Sequence, residues 1–470
     1  MRRSGCAKRR WRDQARDPRP HRPPPCSAKP RLLTDTIVAL ATPPGRSALA
    51  LIRLSGRDAF ELAANCLKPF HPTPPRTVFR TRLLHPESRE LVDDCLVACF
   101  PRPHSYTADD LVEISTHGGL VVPAAAVAAL VAAGARPATP GEFTRRAVLN
   151  GKMDLLQAEA TADLIDAGSP AQRRRALQQL ERGLSDRLAA LRAEILELEA
   201  LIAYDIDFPE EDEGPVNPER VRAAWSTVRG RVADLLKTAP EGERLHEGAL
   251  LVIAGRPNAG KSSLFNALLG TERAIVTEIP GTTRDAIEAH AVIEGFPFRL
   301  VDTAGLRDTD ERIERLGIEV SRKYLAAADL VLFCEERDDP SREAFLAQVK
   351  APVVVVRTKA DVGGAGGGGV SVVTGAGLPE LRRRLAEEAF GQLLALGDVE
   401  PVVTRARHRS ALERALAELE AFWRARTEGV DAAATATHLR AAVVALDDLI
   451  GAVTPEDVLD RVFAAFCVGK

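Results

Sequence analysis

A chain of 470 residues is long enough for about three domains, and 45% hydrophobic residues supply material for several cores. The formal net charge of −3 carries no overall nucleic-acid signature, so any RNA contact must be local. Seven cysteines without a C-x-x-C pair, no secretory h-region and no run of about 18 apolar residues indicate a reducing, soluble compartment, read as the cytoplasm with no membrane association.

The first 33 residues hold eleven Lys/Arg against two Asp and carry the run Pro23-Pro24-Pro25. Such a segment cannot bury a core and reads as a disordered tail. An RNA-touching arm, a transit peptide and an upstream start all remain open, although transit peptides are amphipathic and serine-rich and this stretch is neither. Ordered chain begins near Asp35. Asp35–Leu40, Ala48–Leu54, Leu91–Phe100 and Leu111–Ile114 read as strands, with helical stretches at Asp58–Leu67 and Pro123–Ala133, so an α+β domain ends near residue 150. Cys95 and Cys99 in this part read as packed thiols.

From Leu155 the period changes. Leu177, Leu180, Leu184, Leu188, Leu191, Ile195, Leu198 and Ile202 recur at three and four, predicting one apolar stripe along a long helix. An acidic, proline-bounded loop from Asp207 to Pro215 ends it, and a further helix runs from Pro218 to Leu236. Ala249–Ile253 is an unbroken strand run, and strands then alternate with helices to about residue 390. Helix returns at Arg405–Arg426 and along Leu439, Val443, Leu446 and Ile450. Helices on both sides of an α/β unit predict a nucleotide domain inserted into a helical one.

The chemistry sits in that insert. Gly255-(four residues)-Gly260-Lys261-Ser262 follows a strand and opens a helix, the setting in which G-x-x-x-x-G-K-[ST] becomes a phosphate cradle. Backbone N–H groups around Asn258, Ala259 and Gly260 face the β-phosphate, Lys261 reaches the β/γ-phosphates, and Ser262, followed by Ser263, offers a hydroxyl to Mg²⁺. Downstream, Asp302-Thr303-Ala304-Gly305 ends a strand as D-x-x-G, a partner for the metal and the γ-phosphate. Between them Thr277, Thr282 and Thr283 lie in a loop suited to sensing the γ-phosphate, with Thr283 as second Mg²⁺ ligand. Thr358-Lys359-Ala360-Asp361 after a buried strand is T-K-x-D, where a carboxylate accepts from the N1 and N2 donors of guanine and rejects adenine. Thr358 replaces the usual asparagine and loses one amide. Ser371 marks the last base loop, with a poor match to the usual serine-alanine. Leu306 stands where many GTPases carry the glutamine that orients the attacking water, so another group must do so.

The sequence closely resembles the MnmE (TrmE) family of tRNA-modification GTPases over residues 34–470. The resemblance rests on Asp35-Thr36-Ile37-Val38-Ala39, Ala41-Thr42-Pro43-Pro44-Gly45-Arg46, Ser105-Tyr106-Thr107, His117-Gly118-Gly119, Pro140–Ala147, Leu149-Asn150-Gly151-Lys152, Gln157-Ala158-Glu159-Ala160, the P-loop run and Phe466-Cys467-Val468-Gly469-Lys470. It implies a multidomain α/β + α protein: a tail at 1–33, an α+β folate-binding and dimerisation domain at 34–152, and a helical domain at 153–247 and 391–470 interrupted by a Ras-like P-loop G domain at 248–390. It further implies a homodimer acting on tRNA with a flavin (FAD)-dependent partner in a heterotetramer or larger complex. That assembly adds a carboxymethylaminomethyl or aminomethyl group to C5 of a wobble uridine, with the carbon taken from 5-formyl- or 5,10-methylene-tetrahydrofolate.

By position, Arg53, Glu113, Lys152 and Lys470 would contact the folate. K⁺ would be held by Asn258, Thr277, Ile279 and Thr282, and Glu314 would orient the water during G-domain dimerisation. Cys467 is open between a chemical role and a packed thiol. Departures from the family pattern are Ser47-Ala48, Ser115-Thr116, Thr358, the final base loop and the glycine run from Gly363 to Gly369. The competing class is a ribosome-associated or regulatory switch GTPase without modification activity. Such proteins carry a KH module or a second G domain, and neither a KH-like G-x-x-G nor a second P-loop is found.

Overall fold

The computed structural model describes residues 35–72, 74–207, 217–270, 288–302, 323–338, 340, 342–362, 369–397, 400–451, 456–464 and 466–469. The N-terminal part is a seven-stranded sheet ordered β3-β4-β5-β6-β2-β1-β7. Its strands are β1 (Ile37–Leu40), β2 (Leu49–Ser55), β3 (Leu67–Lys68), β4 (Val78–Leu84), β5 (Leu91–Phe100), β6 (Leu111–His117) and β7 (Arg136–Pro137). Period-2 alternation sets the faces. Ile52 and Leu54 of β2 are buried against α1 (Ala59–Cys66) and α2 (Val122–Ala132), with Ala50 buried on the same face, while Leu49, Leu51 and Arg53 point to the other face. Register carries that second face across the sheet, with Arg53 opposite Glu113, Glu113 opposite Ala98, and Leu96 opposite both Ser115 and Arg80. Cys95 and Cys99 lie on the covered face, free and buried.

Five residues past β7 the chain becomes helical: α3 (Glu142–Leu149), α4 (Leu155–Asp166), α5 (Pro170–Leu180), α6 (Gly183–Asp207), α7 (Pro218–Lys237) and α8 (Ala239–Glu247). A capping box starts α4, the Asp154 carboxylate accepting from Gln157 N and the Gln157 amide oxygen accepting from Asp154 N. The predicted single stripe from Leu177 to Ile202 is instead two helices. Arg182 takes a left-handed φ of 73° between them, which no helix accommodates, and Leu177 falls 41% exposed outside the core. Leu184 to Ile202 do form one buried stripe on α6.

The inserted part is a five-stranded sheet, order β12-β11-β8-β10-β9. Strands β8 (Ala249–Gly255), β10 (Phe296–Asp302), β11 (Leu330–Glu335) and β12 (Val353–Arg357) are parallel, with β9 (Glu288–Ile293) antiparallel at the edge. Helices α9 (Lys261–Leu269), α10 (Arg342–Leu346) and α11 (Leu378–Leu396) accompany it. Every residue of β8 before Gly255 is buried, as a central parallel strand requires. Helix α11 kinks at Phe390 (φ −137°, ψ 26°) and goes on to Leu396, with Phe390 stacked on Phe296 (4.7 Å) and edge-on to Phe298 (5.6 Å), and Leu393 in the same core.

The closing helices α12 (Ala406–Thr427), α13 (Ala432–Ile450) and α14 (Glu456–Ala464) return to the first helical segment. One core joins Leu188, Leu191 and Ile195 to Leu412, Leu419, Leu439 and Leu446, and Trp225 stacks on Trp423 at 4.6 Å. The two helical flanks are thus a single body, folded around an insert whose own core takes in Ala171, Leu245 and Val402. Among the described residues no helix is long and apolar enough to cross a membrane.

Candidate functional site

Strand β8 delivers the phosphate loop. Gly255 has φ +140°, and a Cβ there would stand 2.2 Å from the Cys334 carbonyl, so only glycine fits the turn beside β11. Asn258 sits at φ 63°, exposed, and Gly260 at φ +80° is the N-cap of α9. Lys261 is 6% exposed and its Nζ donates to the Arg256 carbonyl at 2.8 Å, folded back over the loop it encircles. The Ser262 hydroxyl donates to Asp302 Oδ2 at 2.7 Å, so the first turn of α9 meets the end of β10 through two oxygens. A hydroxyl and a carboxylate side by side are the hard-donor set that suits Mg²⁺. Ser263 follows on α9 with its side chain exposed.

The base-side loop is fixed to the same frame. Thr358 is buried, its N–H donates to Glu335 O at 2.8 Å, and its hydroxyl donates to Ala259 O of the phosphate loop at 2.7 Å. Lys359 takes φ 55° and pairs with Glu336 at 2.9 Å. Ser371, 1% exposed, donates from Oγ to Asp361 Oδ1 at 2.6 Å, and this hydrogen bond holds the Asp361 carboxyl below its ordinary range. The serine with the weakest sequence match therefore stands beside the aspartate. Thr277, Ile279, Thr282, Thr283, Thr303, Ala304, Gly305, Glu314 and Lys470 lie outside the described residues.

A second cluster forms on the open face of the N-terminal sheet. Arg53 Nε donates to Glu113 Oε1 at 2.9 Å, Arg53 Nη1 donates to the Gly469 carbonyl at 3.3 Å, and its guanidinium lies 5.4 Å from the Tyr106 ring centroid. The C-terminal segment is held there by backbone. Gly141 N donates to Cys467 O at 3.3 Å, and a Cβ on Gly469 (φ +97°) would come within 2.5 Å of Leu40 O. Phe463 and Phe466 pack on Val148, Leu155 and Ala158. Lys152, just past α3, donates its N–H to Ala147 O and leaves its side chain in solvent, with no hydrogen bond to Arg53, Glu113 or Gly469 among the described residues.

A third set of residues went unassigned in the sequence. Glu159 on α4 accepts from Arg407 Nη2 (2.9 Å) and Nε (3.1 Å) and lies 2.7 Å from His408 Nε2. Burial alone would raise its pKa, but the His408 and Arg407 charges hold it far below the ordinary carboxylate range. Asp163, one turn on, pairs with Arg405, and burial raises it. His246, closing α8 just before β8, is pushed down to about 4 by burial and stands 3.5 Å from Asp163. Glu159, Asp163, His246, Arg405 and Arg407 line a cavity of about 470 Å³ where the insert joins the helical body, with Thr404 and Phe466 also on its wall. The available signal was the place of Glu159 on α4: three and four residues after Leu156 and Leu155, it falls on their apolar face, where a carboxylate demands cationic partners. Those partners lie about 250 residues away, and nothing local names them.

Fold and site define a P-loop nucleotide-binding protein whose nucleotide domain is inserted into a helical one. Residues 36–152 match the family described as GTP-binding protein TrmE N-terminus, and residues 155–467 match MnmE helical domain. The chain is 41% identical over 467 residues to tRNA modification GTPase MnmE of Moorella thermoacetica, covering 93% of this chain and 100% of that one. It is 44% identical to the protein of the same name from Methylorubrum populi (93% and 98%) and 40% identical to that of Aquifex aeolicus (93% and 100%). Among solved structures, the G domain of the T. maritima FeoB iron transporter is 28% identical over 30% of this chain and 98% of that chain. Its TM-score of 0.23 is too low for any inference about this molecule. The chain belongs to the MnmE family of tRNA-modification GTPases.

Proposed function

We propose that this chain hydrolyses GTP as part of a tRNA-modifying assembly. With an FAD-dependent partner it adds a carboxymethylaminomethyl or aminomethyl group to C5 of the wobble uridine of certain tRNAs, drawing the carbon from a formyl- or methylene-tetrahydrofolate. The observation that carries the reading is one loop serving both ends of a nucleotide. Ser262 and Asp302 meet at its phosphate end, while Thr358 ties the Asp361–Ser371 pair to the carbonyl of Ala259.

In this reading the N–H groups from Asn258 to Ser263 and the Lys261 ammonium hold the phosphates, with Thr303, Ala304 and Gly305 at the γ-position. Ser262 and Thr283 would hold Mg²⁺, and Asp361 the guanine edge. The ions supply positive charge to the phosphates when bound. The exposed Asn258 amide, raised on a left-handed residue, offers the oxygen a K⁺ site needs, with Thr277, Ile279 and Thr282 as its further ligands. Glu314 takes the water-orienting part that Leu306 cannot. Arg53 and Glu113 with Lys152 and Lys470 would hold the folate, a carboxylate meeting the donor edge of the pterin and cations its glutamate tail.

A homodimer is supported by exposed Leu49, Val78 and Leu96, which share the open sheet face with Arg53 and Glu113. We place the assembly in the cytoplasm. Analysing wobble-uridine nucleosides in cells lacking the chain tests the reading: the modified nucleoside should disappear. Unchanged nucleosides would sink it in favour of a switch GTPase.

A further inference from the structure

We infer that this purine pocket reads guanine through its N1/N2 edge and is blind to N7, because Thr358 has no proton left to offer the base. The inference rests on the GTP reading above and narrows it. A threonine hydroxyl carries one donor, and a guanine N7 is only an acceptor. Thr358 Oγ1 faces two carbonyls, Ala259 O at 2.7 Å and Glu335 O at 3.4 Å. Carbonyl oxygens cannot donate, so the hydroxyl proton is committed to the first of them. What Thr358 could still present to the ring is a lone pair, and lone pair against lone pair makes no bond.

The side chain cannot swing to change this. It is 6% exposed, its own N–H is fixed to Glu335 O at 2.8 Å, and a Cβ placed on Gly260 would lie 3.4 Å from Thr358 Cβ, so it packs flush on the phosphate loop. β-branching adds stiffness at χ1. An asparagine at 358 would differ in kind, since an amide NH₂ has two donors and can tie the loop and meet N7 together. The opposite edge is differently served. Ser371 occupies one of about four lone-pair positions on the Asp361 carboxylate, leaving the rest for N1–H and N2–H. Discrimination should therefore rest on the 2-amino group and the ring N1–H.

The test uses the full chain with Mg²⁺ and K⁺, and compares equilibrium dissociation constants for GDP, 7-deaza-GDP and IDP. GDP and 7-deaza-GDP should bind within twofold of each other, with IDP, which lacks the 2-amino group, at least about tenfold weaker. In Thr358→Asn, GDP should gain about three- to tenfold over 7-deaza-GDP, the worth of one hydrogen bond. A wild-type preference of threefold or more for GDP over 7-deaza-GDP would overturn the inference while leaving the guanine reading intact. Equal binding of GDP and IDP, or no binding of any of the three, would overturn the guanine reading and the inference with it. The wild-type comparison decides the matter even where the asparagine variant fails to fold.

Discussion

The two polar clusters flanking this molecule are built in opposite ways. At the nucleotide end, the contacts of Lys261, Ser262, Thr358 and Asp361 all stay within the inserted domain, gathered around one strand–loop–helix. At the other end, Arg53 meets a carbonyl 416 residues away, and the contact exists only because α14 and the last residues dock onto α3 and α4. The first cluster is a property of one sheet and one turn; the second is a property of the whole folded chain. Damage to packing far from either should therefore fall on the second and spare the first.

The largest expected effect tests that dependence at the junction. Glu159→Gln removes the anion that Arg407 and His408 share in a buried site, which costs about 3–5 kcal/mol when one partner of such a set is lost. Thermal unfolding should move down by several degrees. The pH dependence has a defined sign. Glu159 titrates far below its unfolded value, so its contribution is present above about pH 4.3 and is lost as pH falls through its folded pKa. His246, folded pKa about 4 against an unfolded value near 6.5, stays neutral while the unfolded chain takes a proton. The His246 contribution should therefore fall from pH 6.5 to 4 and that of Glu159 below pH 4.3, opposed in the acid range by Asp163, whose raised folded pKa favours the folded state as it protonates. In Glu159→Gln the loss below pH 4.3 should flatten, and an unchanged slope in denaturant titrations would remove Glu159 from the explanation.

Next comes the nucleotide end. Lys261→Ala should lower kcat for GTP hydrolysis on the order of 10²–10³-fold, the loss of one preorganised charge at the phosphates. Phosphate release measures it. Because Lys261 sits in the phosphate loop and donates to the Arg256 carbonyl of that loop, on the nucleotide domain, folate affinity should move less than twofold. A tenfold loss of folate binding in this variant would break the contrast between the two ends.

What could be read from the sequence divides along the same line. The P-loop was legible because the unbroken stretch from Ala249 to Leu269 carries strand, turn and helix, and the insert was legible because helical period gives way to strand runs and returns. Glu159 had a visible anomaly and no visible partner. Ser371 looked like a weak match, and its place beside Asp361 depends on Gly377 at φ +74°, close against the Gly369 carbonyl, a tertiary approach with no sequence pattern. The stripe from Leu177 misled because residues 181 and 182 keep the apolar spacing while Arg182 turns left-handed. Periodicity reports which side chains are apolar, and a break in backbone handedness leaves it intact.

A smaller effect is expected at the C-terminal segment. Gly469→Val places a branched side chain at φ +97° and within 2.5 Å of Leu40 O, a conformation and a distance that only glycine tolerates. The segment must shift, Arg53 loses the carbonyl it donates to, and folate affinity should fall about tenfold, as read by equilibrium titration. GTP affinity should move less than twofold, since no described contact of the phosphate loop passes through residue 469. A parallel loss of both affinities would mean the two clusters share more than the helical body between them.

The smallest effect is a difference in thiol reactivity, and it reads the two ends separately in one experiment. Cys334 lies on β11 against the turn at Gly255, fully buried, and burial pushes its thiol up to about 12. Cys66 and Cys99 are pushed to about 11 and Cys95 to about 12 by the same cause. The thiolate is the reactive form, so these four should resist a maleimide at pH 7.5 until the chain unfolds. Cys467 is exposed on the segment that carries the Gly469 carbonyl to Arg53. Peptide mapping should find it modified in the native protein. Folate should slow that modification two- to threefold by ordering the segment over Arg53 and Glu113, and GTP should leave it unchanged. Equal protection by both ligands would show that the tail responds to the nucleotide domain. The cavity lined by Glu159, Asp163 and His246 would then be the first place to look for the coupling, because it touches both the root of the insert and Phe466.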